Sequence, residues 1–181
     1  IETELKMLRV IAELGRIQPV DVIATFMGAH AVPDEYRNGK RKYIRFLIDE
    51  MMGEVARSRL AEFFDIFVEE DYFSVSESRE ILKAAREAGF KLKLHADQLT
   101  TTGAAELATQ VGAISADHLV SVSGAGILAL KKSDVVAVVL PGCAFFLASK
   151  RYAPAREMID EGIPVALATG IPSSIISRAG A

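Results

Sequence analysis

The chain has 181 residues, half of them hydrophobic and a quarter charged, with a formal net charge of -3. That is enough to bury the core of one domain and too little for two comfortable ones. Lys and Arg are interspersed with Asp and Glu, which argues against a phosphate-binding surface or a nucleic-acid partner. No apolar stretch reaches the ~20 residues that span a bilayer. The single cysteine, Cys143, cannot close an internal disulfide, which fits a reducing, cytoplasmic setting. It follows an apolar run with no base beside it, and so reads as a small buried residue rather than a nucleophile.

Residues 1–15 place Leu5, Leu8, Ile11 and Ala12 on one helical face, with Gly15 as the stop. The chain opens without Met and inside this helical pattern, so it reads as starting within a longer protein. The apolar run over 20–27 predicts a strand closed by Gly28, Ala29 and His30. Residues 31–40 are a loop, and the basic run from Arg37 to Arg45 is a solvated loop or helix start. Helical periodicity returns over 41–60 through Ile44, Leu47, Ile48, Met51 and Val55.

From there strands and helices alternate. Strands are predicted over 63–68, 91–96, 113–119, 135–140 and 164–169, with helices over 76–88, 103–111, 123–132 and 154–161 between them. Ser74 or Ser76 caps the first of these helices and Gly89 ends it. Strands separated by single helices must pair in parallel, because the chain crosses back before laying the next strand. A doubly wound open sheet and a (β/α)8 barrel compete. No G-x-G-x-x-G follows a strand, which weakens the dinucleotide-binding version of the first. His30, Glu69, His95, His118 and Thr169 all fall at strand C-terminal ends, where barrel active sites are built. The expected fold is therefore a partial (β/α)8 barrel, with about six of eight strands present and two expected to precede Ile1. Open sheet edges would invite association or aggregation.

The chain has three histidines, His30, His95 and His118, and each ends a different predicted strand. In a parallel barrel such ends share one mouth. An imidazole suits that place because it ligates a metal when neutral and moves protons near neutral pH.

Two segments, Leu94-His95-Ala-Asp97-Gln98 and Ser115-Ala-Asp117-His118-Leu119, resemble the metal-dependent amidohydrolases, with one histidine from each of two consecutive strands. Further segments sharpen the likeness to imidazolonepropionases: Gly28-Ala-His30-Ala-Val-Pro33-Asp-Glu35-Tyr36, Phe64-Asp-Ile-Phe-Val-Glu69, and Leu140-Pro-Gly142-Cys-Ala-Phe145-Phe146-Leu147. The resemblance runs from about residue 1 to Thr169. It implies opening of the ring of 4-imidazolone-5-propanoate to N-formimino-L-glutamate, with one Zn2+ or Fe3+ ion, in a homodimeric complete enzyme. By the same resemblance His95 would ligate the metal. His118 would assist proton transfer, and His30 would contact the substrate ring or its carboxylate. Gln98 stands where many relatives carry Glu; it can orient a substrate but cannot accept a proton as a carboxylate does.

Three departures matter. No H-x-H pair is present in this chain, and the last strand reads Leu167-Ala168-Thr169-Gly170, where the family pattern has an Asp ligand at the position of Gly170. Residues 171–181 form an atypical end that no longer resembles the family. One histidine from a site needing three or four ligands binds metal poorly, so the chain alone is expected to be inactive. Another cyclic amidohydrolase or deaminase, or a noncatalytic fragment, are the alternatives. Among the remaining candidates, Asp97 can share the face of His95, whereas Asp117 should not share that of His118. A supporting structural role is expected for both. One of Glu69 and Glu70 points inward, Glu106 caps or faces water, and Phe145 and Phe146 pack in the core or at the barrel rim.

Overall fold

A computed structural model describes residues 1–170. The atypical end expected over 171–181 lies outside the described residues. Six parallel strands form one sheet in the order β1-β2-β3-β4-β5-β6. They are β1 (Thr25–Ala29), β2 (Phe63–Val68), β3 (Lys91–Ala96), β4 (Ser115–His118), β5 (Val136–Val139) and β6 (Val165–Leu167). The order never reverses, so the sheet lacks the switch point that a doubly wound fold needs. It is six consecutive staves of a (β/α)8 barrel, with β1 and β6 each paired on one side among the described residues.

Helices α1 (Glu2–Ile17), α2 (Lys40–Phe46), α3 (Met52–Ser58), α4 (Val75–Glu87), α5 (Ala104–Gln110), α6 (Gly124–Lys131), α7 (Pro141–Phe146) and α8 (Ala155–Asp160) fill the connections. A single π turn, Leu47–Met51, joins α2 to α3. The core lies between the strands and this helical layer. Phe64, Ile66 and Val68 of β2 and Leu94 and Ala96 of β3 are fully buried, as are Ile44, Leu47, Val55, Ile81, Leu82 and Ala85 on the helices. Each such large apolar side chain contributes about 1.5–3 kcal/mol of burial. The opposite face of the sheet carries a polar series. Asp65 pairs in register with Lys93, Phe67 with His95, and His95 with Asp117.

The predicted elements are present, most with shifted bounds, and four readings are corrected. Helix α1 passes Gly15 and runs to Ile17, because one glycine costs only about 1 kcal/mol in a helix and Leu5 and Leu8 are buried beneath it. The first strand begins at Thr25, where pairing with Phe63 starts, and leaves Val20 and Ile23 of the predicted run exposed. The short helix α7 was not predicted. It buries only Ala144, so Phe145 and Phe146, expected in the core or rim, are 77% and 62% exposed. Cys143, expected to be buried, is half-buried on the same helix.

The start of α4 follows from its sequence. The Ser74 side chain accepts from the Glu77 amide, and the Glu77 carboxylate accepts from the Ser74 amide. This is a reciprocal cap that satisfies two otherwise unpaired donors. Gly89 ends the helix at a φ of 94°, a conformation that only glycine adopts without strain. The basic run opens α2 as expected. Its Lys40 sits 2.7 Å from Glu77 and its Arg41 pairs with Glu80, tying α2 to α4.

Candidate active site

The C-terminal ends of β1 to β4 bring the three histidines together. The rings of His30 and His95 are 4.6 Å apart at their centroids, and those of His95 and His118 are 4.9 Å apart. His30 directly follows β1, whose end is held by the Tyr43 hydroxyl donating to the Gly28 carbonyl at 2.5 Å. His95 lies one residue before the end of β3, on the polar face. His118 ends β4 at a φ of 78°, followed by Leu119 at 56°. Two successive left-handed non-glycine residues are strained. They break the strand alternation that would otherwise send His118 outward with Ala116, and the His118 ring reaches the rim.

Asp65 joins the three rings, a residue that the sequence reading passed over. It is 2% exposed, and its Oδ2 lies 2.9 Å from His95 Nδ1 and 3.7 Å from His30 Nε2. Burial pushes its carboxyl up, but the two imidazoles outweigh this and hold it well below the ordinary carboxylate range. Burial works against a charged His95, yet the Asp65 carboxylate raises that ring above its usual value. His118 is pushed down to about 4 by burial and by its neighbour His95, so it is neutral at pH 7 and can accept a proton. The signal for Asp65 was present in the sequence: strand alternation in β2 puts it on the face opposite Phe64 and Ile66, level with the predicted site.

Gln98 follows β3 on a loop clamped by two buried carboxylates. Asp97 does not share the face of His95. It turns away at a φ of 47°, and its Oδ1 accepts from the amides of Thr102, Gly103 and Ala104 while Oδ2 accepts from that of Ala105. Its role is to cap α5. Glu69, the inward member of its pair, accepts from the amides of Leu99 and Thr100 at 2.8 and 3.2 Å. Gln98 and His118 together line a hollow of about 220 Å3 with Leu99, Cys143 and Ser149. Burial pushes the Cys143 thiol up, the reverse of what a nucleophile needs.

Asp117 points to the polar face, the side to which the left-handed backbone also brings the His118 ring, contrary to the expectation from alternation. It shares the polar face with Lys93, 3.7 Å away, and burial raises its carboxyl. Glu106 neither caps its own helix nor simply faces water. It accepts from Ser123 Oγ at 3.1 Å, and its Oε2 is buried. Gly170, at the end of β6, contributes no side chain to the rim.

No protein-family model matches the chain. Curated relatives match it over most of its length. The imidazolonepropionase of Treponema denticola is 52% identical over 169 residues, 93% of this chain and 41% of the relative. That of Bacillus velezensis is 51% identical over 93% of this chain and 40% of the relative. That of Myxococcus xanthus is 47% identical over 98% of this chain and 42% of the relative. The chain is homologous to a stretch of the imidazolonepropionases. It spans about 40% of the length of these relatives. Solved structures agree on the fold. A guanine deaminase from C. acetobutylicum with bound guanine superposes with a TM-score of 0.66 at 14% identity, over 92% of this chain and 43% of that one. An adenosine deaminase from Xanthomonas campestris with bound zinc gives 0.61 at 16% identity, over 90% and 39%. The six strands thus share the fold of part of these two structures. No helix among the described residues is long and apolar enough to cross a membrane.

Proposed function

We propose that this chain is the part of an imidazolonepropionase that supplies His30, Gln98, His95 and His118, and that a longer protein containing it hydrolyses the ring C–N bond of 4-imidazolone-5-propanoate. The observation that carries this reading is the convergence of three imidazoles on one rim in a chain 52% identical to such an enzyme.

The donors at the rim suit a metal in kind. His95 Nδ1 and an oxygen of Asp65 are buried without hydrogen-bond partners among the described residues, and imidazole with carboxylate is a common donor set for zinc or iron. His95 would hold the ion, zinc or ferric iron, which supplies Lewis acidity and eases loss of a proton from water. His118, neutral at pH 7, accepts that proton and returns one to the departing ring nitrogen. Gln98 orients the substrate through its amide without taking part in proton transfer. His30 donates to the substrate ring or its carboxylate. The clamps at Glu69 and Asp97 fix the loop on which Gln98 rides. Small-molecule turnover of this kind calls for no nucleic-acid or membrane partner, and the complete enzyme would be a cytoplasmic homodimer.

The test is an assay of the longer protein with 4-imidazolone-5-propanoate, guanine and adenosine as competing substrates. Hydrolysis of the first, lost in His95→Ala and cut severely in His118→Ala, is the expected result. Turnover of a purine in its place would overturn the substrate assignment in favour of a deaminase.

A further inference from the structure

We infer that this chain by itself binds one first-row divalent cation through His30, Asp65 and His95, a ligand set confined to β1, β2 and β3. The three residues each offer a donor atom, and these atoms lie within 4.8 Å of one another. Ligands about 2.0–2.1 Å from a tetrahedral zinc stand roughly 3.4 Å apart. The observed 2.9 and 3.7 Å from Asp65 Oδ2 to the two imidazole nitrogens bracket that spacing.

Two observations separate this arrangement from an ordinary ion pair. First, His30 Nε2, His95 Nδ1 and Asp65 Oδ1 are all buried without a hydrogen-bond partner among the described residues. The 2.9 Å approach of Asp65 to His95 is close but lacks hydrogen-bond direction. Unpaired buried polar atoms cost about 1–3 kcal/mol each, and a cation among them would satisfy all three residues at once. Second, Asp65 is 2% exposed, so water cannot readily solvate its charge. Two imidazoles and one carboxylate also leave coordination positions of such a metal open.

The ligand set needs nothing from β6, where Gly170 offers no side chain. It is independent of the hydrolase reading, since an inactive longer protein would leave it standing. Ligands brought by a longer protein would compete with His30 and free it for substrate, so the two assignments of His30 belong to two different assemblies.

The experiment is titration of the metal-stripped 181-residue chain with Co2+, followed by visible absorption. One equivalent should develop d–d bands of four- or five-coordinate cobalt, without thiolate charge transfer, and Zn2+ should abolish them. Asp65→Asn and His30→Gln should each weaken binding by roughly tenfold or more, whereas Cys143→Ser should leave it unchanged. Should Asp65→Asn fail to fold by circular dichroism, His30→Gln decides alone, because its side chain is partly exposed and tolerates replacement. The inference is overturned by absence of the bands, by full affinity in His30→Gln, or by loss in Cys143→Ser.

Discussion

The rim of the sheet divides into two unlike halves. The ends of β1 to β4 carry three imidazoles and Asp65, and Glu69 and Asp97 together lock the loop after β3 through hydrogen bonds to its backbone amides. The ends of β5 and β6 carry Leu140, Thr169 and Gly170, and the short helix α7 beyond β5 holds the exposed Phe145 and Phe146, followed by the exposed Leu147. Both halves use the same strand–helix unit with the same parallel pairing. The scaffold is therefore indifferent to chemistry. What distinguishes the halves is the residue type at each strand end, and whether a buried carboxylate immobilises the loop behind it.

The largest effect that would probe this contrast is expected at Asp97. Asp97→Ala strands four α5-side amides and opens a void in a fully buried place, and should cost about 3 kcal/mol or more. A denaturation midpoint close to that of the parent would mean that the loop is not held this way. Glu69→Ala should cost less, about 2 kcal/mol, since its partners at Leu99 and Thr100 are only part-buried and can turn to water. Hydrogen exchange at these two amides should quicken at the same time.

On the bare half of the rim, Gly170→Asp tests whether a carboxylate can simply be restored. Gly170 has a φ of 62°, and a Cβ there would meet Leu140 Cδ2 at 2.6 Å. The substitution should lower stability by about 1 kcal/mol without tightening cobalt binding. A gain in affinity would erase the distinction between the halves. A further check of comparable size is Ser74→Ala, which removes the cap of α4 and should cost about 1 kcal/mol. The smallest effect concerns pH. Burial raises the Glu77 carboxyl, but Lys40 and Ser74 outweigh it and lower it below the ordinary value of 4.5. Its stabilising contribution is therefore present above pH 4.5 and fades as the pH falls through that lowered value. Lys40→Met should flatten this part of the stability profile in acid denaturation, and an unchanged profile would show that the pair contributes nothing.

Periodicity and punctuation made the architecture legible. The bounds of β2 and β3 match the predicted ones residue for residue: β3 alternates from Lys91 to Leu94 between Gly89 and Asp97, and β2 is a short apolar run broken only by Asp65 and stopped by Glu69 and Glu70. The parallel order followed from single helices between strands. The three histidines could be placed at one mouth for the same reason. The start of β1 could not be placed, since Val20, Val22 and Ile23 look like strand residues and only pairing with Phe63 decides where the strand begins. Helix α7 was hidden behind Pro141 and Gly142, which read as a stop although proline is well tolerated in the first turn of a helix.

The sequence by itself determined the alternating elements, their parallel order and the identity of the imidazoles at strand ends, because these depend on short-range periodicity and on chain connectivity. Only the tertiary structure decided that Asp65 from a neighbouring strand sits between two of those rings, that Asp97 turns from the site to cap α5, and that His118 swings to the rim through a left-handed backbone. Each of these depends on cross-strand register or on a single φ angle, and neither quantity is written in the local pattern of residues.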